Sequence, residues 1–178
     1  KWGKYDTTGW GKSIGLIGGN LQTGTGDSAK ELEEVIYRRY LGGTNWNIIR
    51  VYEDYPPDNM STANIASCIN SGVGIVIYKG HGAVNAWSAQ SCLWDSGHVS
   101  SLLANGLKLP IVFAGCCHSG TFDSASDCLG EYFLKGSSNG AIGYFGACES
   151  GYAGEAGGDG LLRRFMDKVI EKWKDGEK

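Results

Sequence analysis

Proline is scarce, with three residues in 178, and histidine also numbers three. No apolar run approaches the roughly 20 residues that a bilayer-crossing helix needs, which excludes a helical membrane span. Neither sign of charge dominates: 16 Lys and Arg face 19 Asp and Glu, for a net charge of −3. A pI near 5.6 argues against general nucleic-acid binding, and the balanced composition excludes a disordered or fibrous chain. No C-x-x-C pair occurs among the six cysteines, and Cys116 and Cys117 are adjacent, too cramped for an ordinary bridge. The cysteine count therefore does not fix a redox compartment. The chain starts at Lys1 without a signal peptide, so the expectation is a removed leader or an excised piece.

What is present is glycine and aromatics. The 29 glycines are roughly twice the usual share, and they show no G-x-y period, which excludes a collagen helix. Together with six Trp and nine Tyr they indicate an ordered fold with many tight loops. The length suits one domain with a real core, or one lobe of a larger enzyme.

Five apolar, β-branched runs read as buried strands: Ile14 to Ile17, Asn47 to Tyr52, Gly74 to Tyr78, Pro110 to Ala114 and Ala141 to Phe145. Helical patterns separate them. Ser28 and Glu31 form a capping box ahead of Leu32, Val35, Ile36 and Tyr40. Ile65, Cys68 and Ile69 mark a second helix stopped near Gly72, and Val99, Leu102 and Leu103 a short third. Leu129, Tyr132 and Phe133 mark a fourth; Leu162, Phe165, Met166, Val169 and Trp173 mark a fifth. Alternating strands and helices predict a mostly parallel sheet covered on both faces: α/β, a three-layer α/β/α sandwich.

In such sheets function sits at the carboxyl ends of the strands. The third strand ends in Gly80, His81 and Gly82, and the fourth in Cys116, Cys117, His118, Ser119 and Gly120. Consecutive units of a parallel sheet are often neighbours, so His81 and a cysteine can meet at one edge. An imidazole beside a thiol lowers its pKa or takes its proton, making a thiolate nucleophile. The Gly82 N–H and that of the nucleophile would form an oxyanion hole for acyl transfer. The plainer alternative is a loop histidine with two core cysteines, since free cysteine is among the most buried residue types.

The stretches "INSGVGIVIYKGHGAVNAW", "LLANGLKLPIVFAGCCHSGTF", "CLGEYFL" and "NGAIGYFGACESGY" occur in one order. From Trp10 to about Tyr152 the chain resembles the catalytic lobe of the gingipain family of cysteine peptidases. In that family an apolar strand ends in His-Gly and a Leu-Pro strand ends in Cys before Gly-x-Phe. The resemblance implies a caspase-haemoglobinase-like fold and cysteine endopeptidase chemistry. Residues 1–178 would form a single catalytic lobe, the C-terminal half of a larger catalytic unit. It places His81 on the catalytic histidine and, counting back from Gly120 and Phe122, Cys117 on the nucleophile. Cys116 then points off the other face of the strand.

The resemblance carries two departures. The acidic residue thought to orient the histidine falls at Asn20, which accepts a hydrogen bond but stabilises an imidazolium less than a carboxylate does. The substrate pocket draws on Asp27 or Glu149 for charge, with Tyr152 and Trp87 as walls. A buried carboxylate there implies cleavage after Arg or Lys; without it, Tyr152 and Trp87 would set a small or apolar preference. Asp27 also suits a simple helix cap with Ser28, and Trp87 suits core packing. Polypeptides are the implied substrates, with a preceding lobe or pro-segment of the same precursor as a further partner.

Catalysis needs no cofactor on this reading, and a zinc site is disfavoured because Cys116, Cys117 and His118 are contiguous. Calcium is kept open through Asp123, Asp127 and Glu131, although Ser124 with Asp127 also reads as a helix cap. His98 reads as a surface or half-buried residue. The resemblance further implies export from a bacterium, as a secreted or cell-surface protein. The alternative class is a non-catalytic binding module that retained the peptidase fold.

Overall fold

The computed structural model describes residues 9–20, 34–53, 59–150, 160–161 and 163–168. Among these described residues, eight strands follow in chain order: β1 (Ser13–Gly18), β2 (Asn47–Tyr52), β3 (Ile75–Lys79), β4 (His81–Ala83), β5 (Ala86–Ser88), β6 (Leu93–Asp95), β7 (Ile111–Gly115) and β8 (Gly143–Gly146). The helical segments are α1 over 34–41, α2 (Thr62–Asn70), α3 (Ser96–Leu102), α4 (Leu129–Lys135) and α5 over 163–168. The last turn of α1, Tyr37–Leu41, is π-wound.

The central sheet runs β2-β1-β3-β7-β8, and every pairing in it is parallel. A parallel sheet is covered on both faces, which is why its strands are apolar throughout rather than alternating. All six residues of β1 and all five of β3 are buried. On one face Ile17, Val76, Tyr78, Val112 and Ala114 pack against Ile65 and Ile69 of α2, Val99 of α3, and Leu129 and Phe133 of α4. On the other, Ile14, Leu16, Ile75, Ile77 and Phe113 meet Ile36 and Tyr40 of α1 and Met166 of α5. This is the predicted three-layer sandwich. The five predicted strands are present with their ends displaced by two residues or fewer.

The local signals act as expected where they fall on described residues. Ser61 caps α2, its Oγ accepting the Asn64 N–H at 3.1 Å. The Ser28–Glu31 box, Leu32, Leu162, Val169 and Trp173 lie outside the described residues. The α4 cap differs from the expected Ser124–Asp127 pair. Cys128 is the N-cap residue, and Glu131 reaches back to accept its N–H at 2.9 Å.

One element has no counterpart in the sequence reading. After β3 the chain forms a three-stranded antiparallel ribbon, β4-β5-β6. Its strands have three residues each, too short for a period-2 pattern to register. Trp87 and Trp94 face each other across it and are fully buried, so the ribbon closes over the sheet edge through its indoles.

Candidate active site

β3 and β7 are neighbours, with Lys79 opposite Gly115 at their carboxyl ends. Their continuations, the β4 ribbon with His81 and the loop with Cys116 and Cys117, therefore leave the sheet side by side. The approach is close. A Cβ placed on Gly82 would overlap the Cys117 carbonyl oxygen and lie 2.6 Å from the Cys116 Sγ. Only glycine lets the two segments meet at this separation.

The two cysteines sit in opposite environments. Cys116 is 7% exposed and belongs to the core against α2, α3 and α4. Burial pushes its thiol up to about 12, against the smaller opposing effects of the Ser119 hydroxyl and the Lys79 ammonium. It remains a thiol at neutral pH, donating to Ser119 Oγ at 3.3 Å. Cys117 is half-buried, and His81 is exposed at the start of β4. Both cysteines lie in the bend just after β7, not on the strand, and it is this bend that separates their environments.

The turn after Cys117 is bent hard. His118 has φ 56°, a left-handed conformation uncommon for a non-glycine residue. It is held by its N–H donating to the Glu149 carbonyl at 3.2 Å and by a ring nitrogen 3.1 Å from Ser150 Oγ. The Thr121 hydroxyl donates to the His118 carbonyl at 2.7 Å and lies 3.0 Å from that of Cys148. Strain of this kind persists only where surroundings enforce it, and it commonly accompanies functional turns.

The ribbon that carries His81 is pinned from below and at its far turn. The Tyr78 hydroxyl contacts both the His81 and the Ser88 carbonyls, at 2.8 and 3.0 Å. Trp87 stacks on Tyr78 at 4.5 Å and on Phe133 at 5.3 Å, and its Nε1–H donates to the Tyr144 hydroxyl at 3.1 Å. With 1% of its surface exposed, Trp87 offers no face to a substrate. That corrects its assignment to the pocket: the indole is core, because aromatic rings enclose it.

The other expected residues divide. Glu149 is exposed beside the Cys117 turn. The backbone N–H of Asn20 donates to Glu53 Oε2 at 2.7 Å. Asp27 and Tyr152 lie outside the described residues. His98 belongs to a helix cap, with its Nδ1 2.7 Å from Asp95 Oδ1 and its ring stacked on Trp94. Among the described residues no group of His, Cys, Asp and Glu is arranged to hold a metal ion. Asp127 and Glu131 instead pair with Lys135 Nζ, at 2.6 and 3.4 Å.

Two residues that line this edge, Glu53 and Lys79, escaped the sequence reading, and Ser119, which it named, was given no role. Glu53, directly after β2, is a carboxylate only 4% exposed. Lys79 is a buried cation at the end of β3, opposite Gly115. Ser119 is fully buried behind the cysteines. A charged residue closing an apolar strand is the signal that would have marked the first two, since buried charges need partners.

Comparison with known proteins agrees with this architecture. The profile described as peptidase family C25 matches residues 2–176. Gingipain R2 of Porphyromonas gingivalis is 28% identical over 97 residues, which is 54% of this chain and 13% of that protein. A Lys-gingipain of the same bacterium is 30% identical over 89 residues, 50% of this chain and 5% of that one. Among solved structures, the Arg-specific cysteine proteinase gingipain R superposes with a TM-score of 0.76 at 22% identity. That match covers 92% of this chain and 37% of the proteinase, and establishes a shared caspase-like α/β fold. A complex of gingipain pro- and mature domains matches with a TM-score of 0.60, over 80% of this chain and 34% of that one. The chain thus spans well under half the length of each relative. With almost its whole length matched by one profile, the chain belongs to peptidase family C25, a family of cysteine peptidases.

Proposed function

We propose that the chain is one catalytic lobe of a cysteine endopeptidase in which Cys117 is the nucleophile and His81 its proton partner. The observation that carries this is the packing of Gly82 against the Cys117 carbonyl and the Cys116 side chain, which brings the residue after the histidine onto the cysteine pair. The Cys117 thiolate would attack the scissile carbonyl carbon, breaking its π bond and placing the electron pair on oxygen. The Gly82 and Cys117 N–H groups are the proposed donors to that oxyanion. Gly82 faces Trp87 one pair beyond the two-residue turn that joins β4 and β5. In an antiparallel ladder that register turns its N–H away from β5. Collapse of the intermediate would break the C–N bond, with His81 giving its proton to the leaving amine. Water would then hydrolyse the thioester, restoring the thiol.

Asn20 is the proposed orienter of His81, its position at the same sheet edge supporting that role. For specificity, cleavage after Arg or Lys is supported by two relatives, one titled Arg-specific and the other named Lys-gingipain. Asp27 or Glu149 would supply the carboxylate. A pro-segment of the same precursor is a further proposed partner, supported by the solved complex of pro- and mature domains. Export from a bacterial cell is a further part of the proposal, supported by the same kinship. No helix of the described residues is long and apolar enough to cross a membrane.

Hydrolysis of a peptide library by single-site variants tests the reading. Cys117→Ala should abolish cleavage with folding intact, and Cys116→Ala should keep most of it. Loss with Cys116→Ala alone would move the nucleophile by one residue. A library showing no basic preference before the cut would remove the charged pocket and leave the dyad standing.

A further inference from the structure

Glu53 is a buried polar group at this edge that the proposed chemistry does not use. It sits at the carboxyl end of β2, two strands away from β3, and is 4% exposed. Its carboxylate is fully occupied. Oε1 accepts the Ser91 N–H and the Ser91 hydroxyl, each at 2.6 Å. Oε2 accepts the Asn20 N–H at 2.7 Å and the Gln90 N–H at 3.3 Å. Asn20 follows β1, while Gln90 and Ser91 form the turn between β5 and β6. One side chain therefore ties the ends of β1 and β2 to the ribbon whose first strand begins with His81.

The packing around the carboxylate leaves the ribbon little freedom. A Cβ on Gly19 would lie 2.6 Å from the Ala89 Cβ, so the β1 end and the ribbon turn are in direct contact. The Ala89 N–H donates to the Cys92 carbonyl at 2.8 Å, closing the turn that presents its amides to Glu53. Ser88, the residue before that turn, is the ladder partner of His81. A force on Ser91 is thus transmitted through Ser88 to His81 across one ribbon pairing. The Tyr78 hydroxyl contacts the carbonyls of both members of that pairing.

We infer that Glu53 is a positioning residue for the Cys–His site: its carboxylate clamps the β5–β6 turn and so fixes His81 over Cys117. The inference rests on the proposed dyad and adds a requirement to it. A buried carboxylate holding three backbone N–H groups and a hydroxyl is a rigid anchor, because each bond to a charged acceptor is stronger than a neutral one. Glutamine at this site would have one acceptor oxygen, and its NH₂ would face amide donors.

A double-mutant cycle reads the coupling. The rate of Cys117 alkylation by iodoacetamide is measured in the wild type, Glu53→Gln, His81→Ala and the double variant, with circular dichroism reporting the fold. Residues acting through one another give non-additive effects, so Glu53→Gln should slow alkylation about tenfold when His81 is present and less than about twofold when it is absent. Equal effects in both backgrounds, or none in either, would overturn the positioning role. A wild-type rate unaltered by His81→Ala would instead count against the dyad itself. Should Glu53→Gln fail to fold, the same cycle with Ser91→Ala removes one of the four bonds to the carboxylate, the hydroxyl contact, and should show the same sign of coupling at about threefold.

Discussion

Two adjacent cysteines of one chain differ in chemistry because the bend after β7 buries one side chain and leaves the next partly open. Cys116 enters a core that raises its thiol to about 12, while Cys117 stays partly open beside the ribbon. Native alkylation near pH 8 should therefore spare Cys116 until denaturant is added, as mapped by mass spectrometry. The raised value also has a stability consequence. Below the unfolded thiol's pKa the group is neutral in both states, and its buried form costs nothing. Above that value the unfolded chain gains by ionising, so stability falls as pH rises toward about 12. Thermal melts of Cys116→Ala should lack that alkaline component. Gly82 is the second residue whose identity is dictated by space. Gly82→Ala would push the ribbon off Cys117, and a displaced oxyanion donor should lower kcat by about 10²-fold with a smaller change in KM.

At the scale of the element, the β4–β5–β6 ribbon is held by one aromatic anchor and one charged anchor. Trp87, enclosed by Tyr78 and Phe133 and bonded to Tyr144, supplies the first. Trp87→Ala should cost about 3–5 kcal/mol, since the cavity left among rigid rings cannot collapse. The second anchor is Glu53. Burial alone would raise its carboxyl, but the hydrogen bonds from Ser91, Asn20 and Gln90 together outweigh it and hold the value below the ordinary 4.5. A carboxylate depressed in the folded state contributes stability that is present above its unfolded pKa. That contribution is lost as pH falls through the folded value. Wild-type protein should accordingly lose melting temperature below about pH 4.5, and Glu53→Gln should be less stable at neutral pH with a flatter acid limb. The ribbon is also where sequence reasoning fell short. Three-residue strands carry no periodicity, and partners such as Glu53 and Ser91 are joined only after the chain has folded.

The whole molecule was the most legible level. Runs such as Ile75 to Tyr78 are apolar throughout because two layers of helices cover them, and that pattern is visible without coordinates. The β3–β7 adjacency followed from the preference of consecutive units to be neighbours. The assignment of Trp87 to the pocket failed for the opposite reason: an aromatic after the histidine motif reads alike whether it lines a cleft or plugs a core. The sheet thus delivers His81 and Cys117 to one edge, and the account stands on that pair acting together. The direct measurement is labelling by a peptidyl chloromethyl ketone with a basic or an apolar residue next to the warhead. Mass spectrometry locates the adduct across pH, in the wild type and in His81→Ala. The account predicts a single adduct on Cys117, formed fast in the wild type and slowed by orders of magnitude in His81→Ala. An adduct on Cys116, or a Cys117 rate that ignores His81, would contradict it.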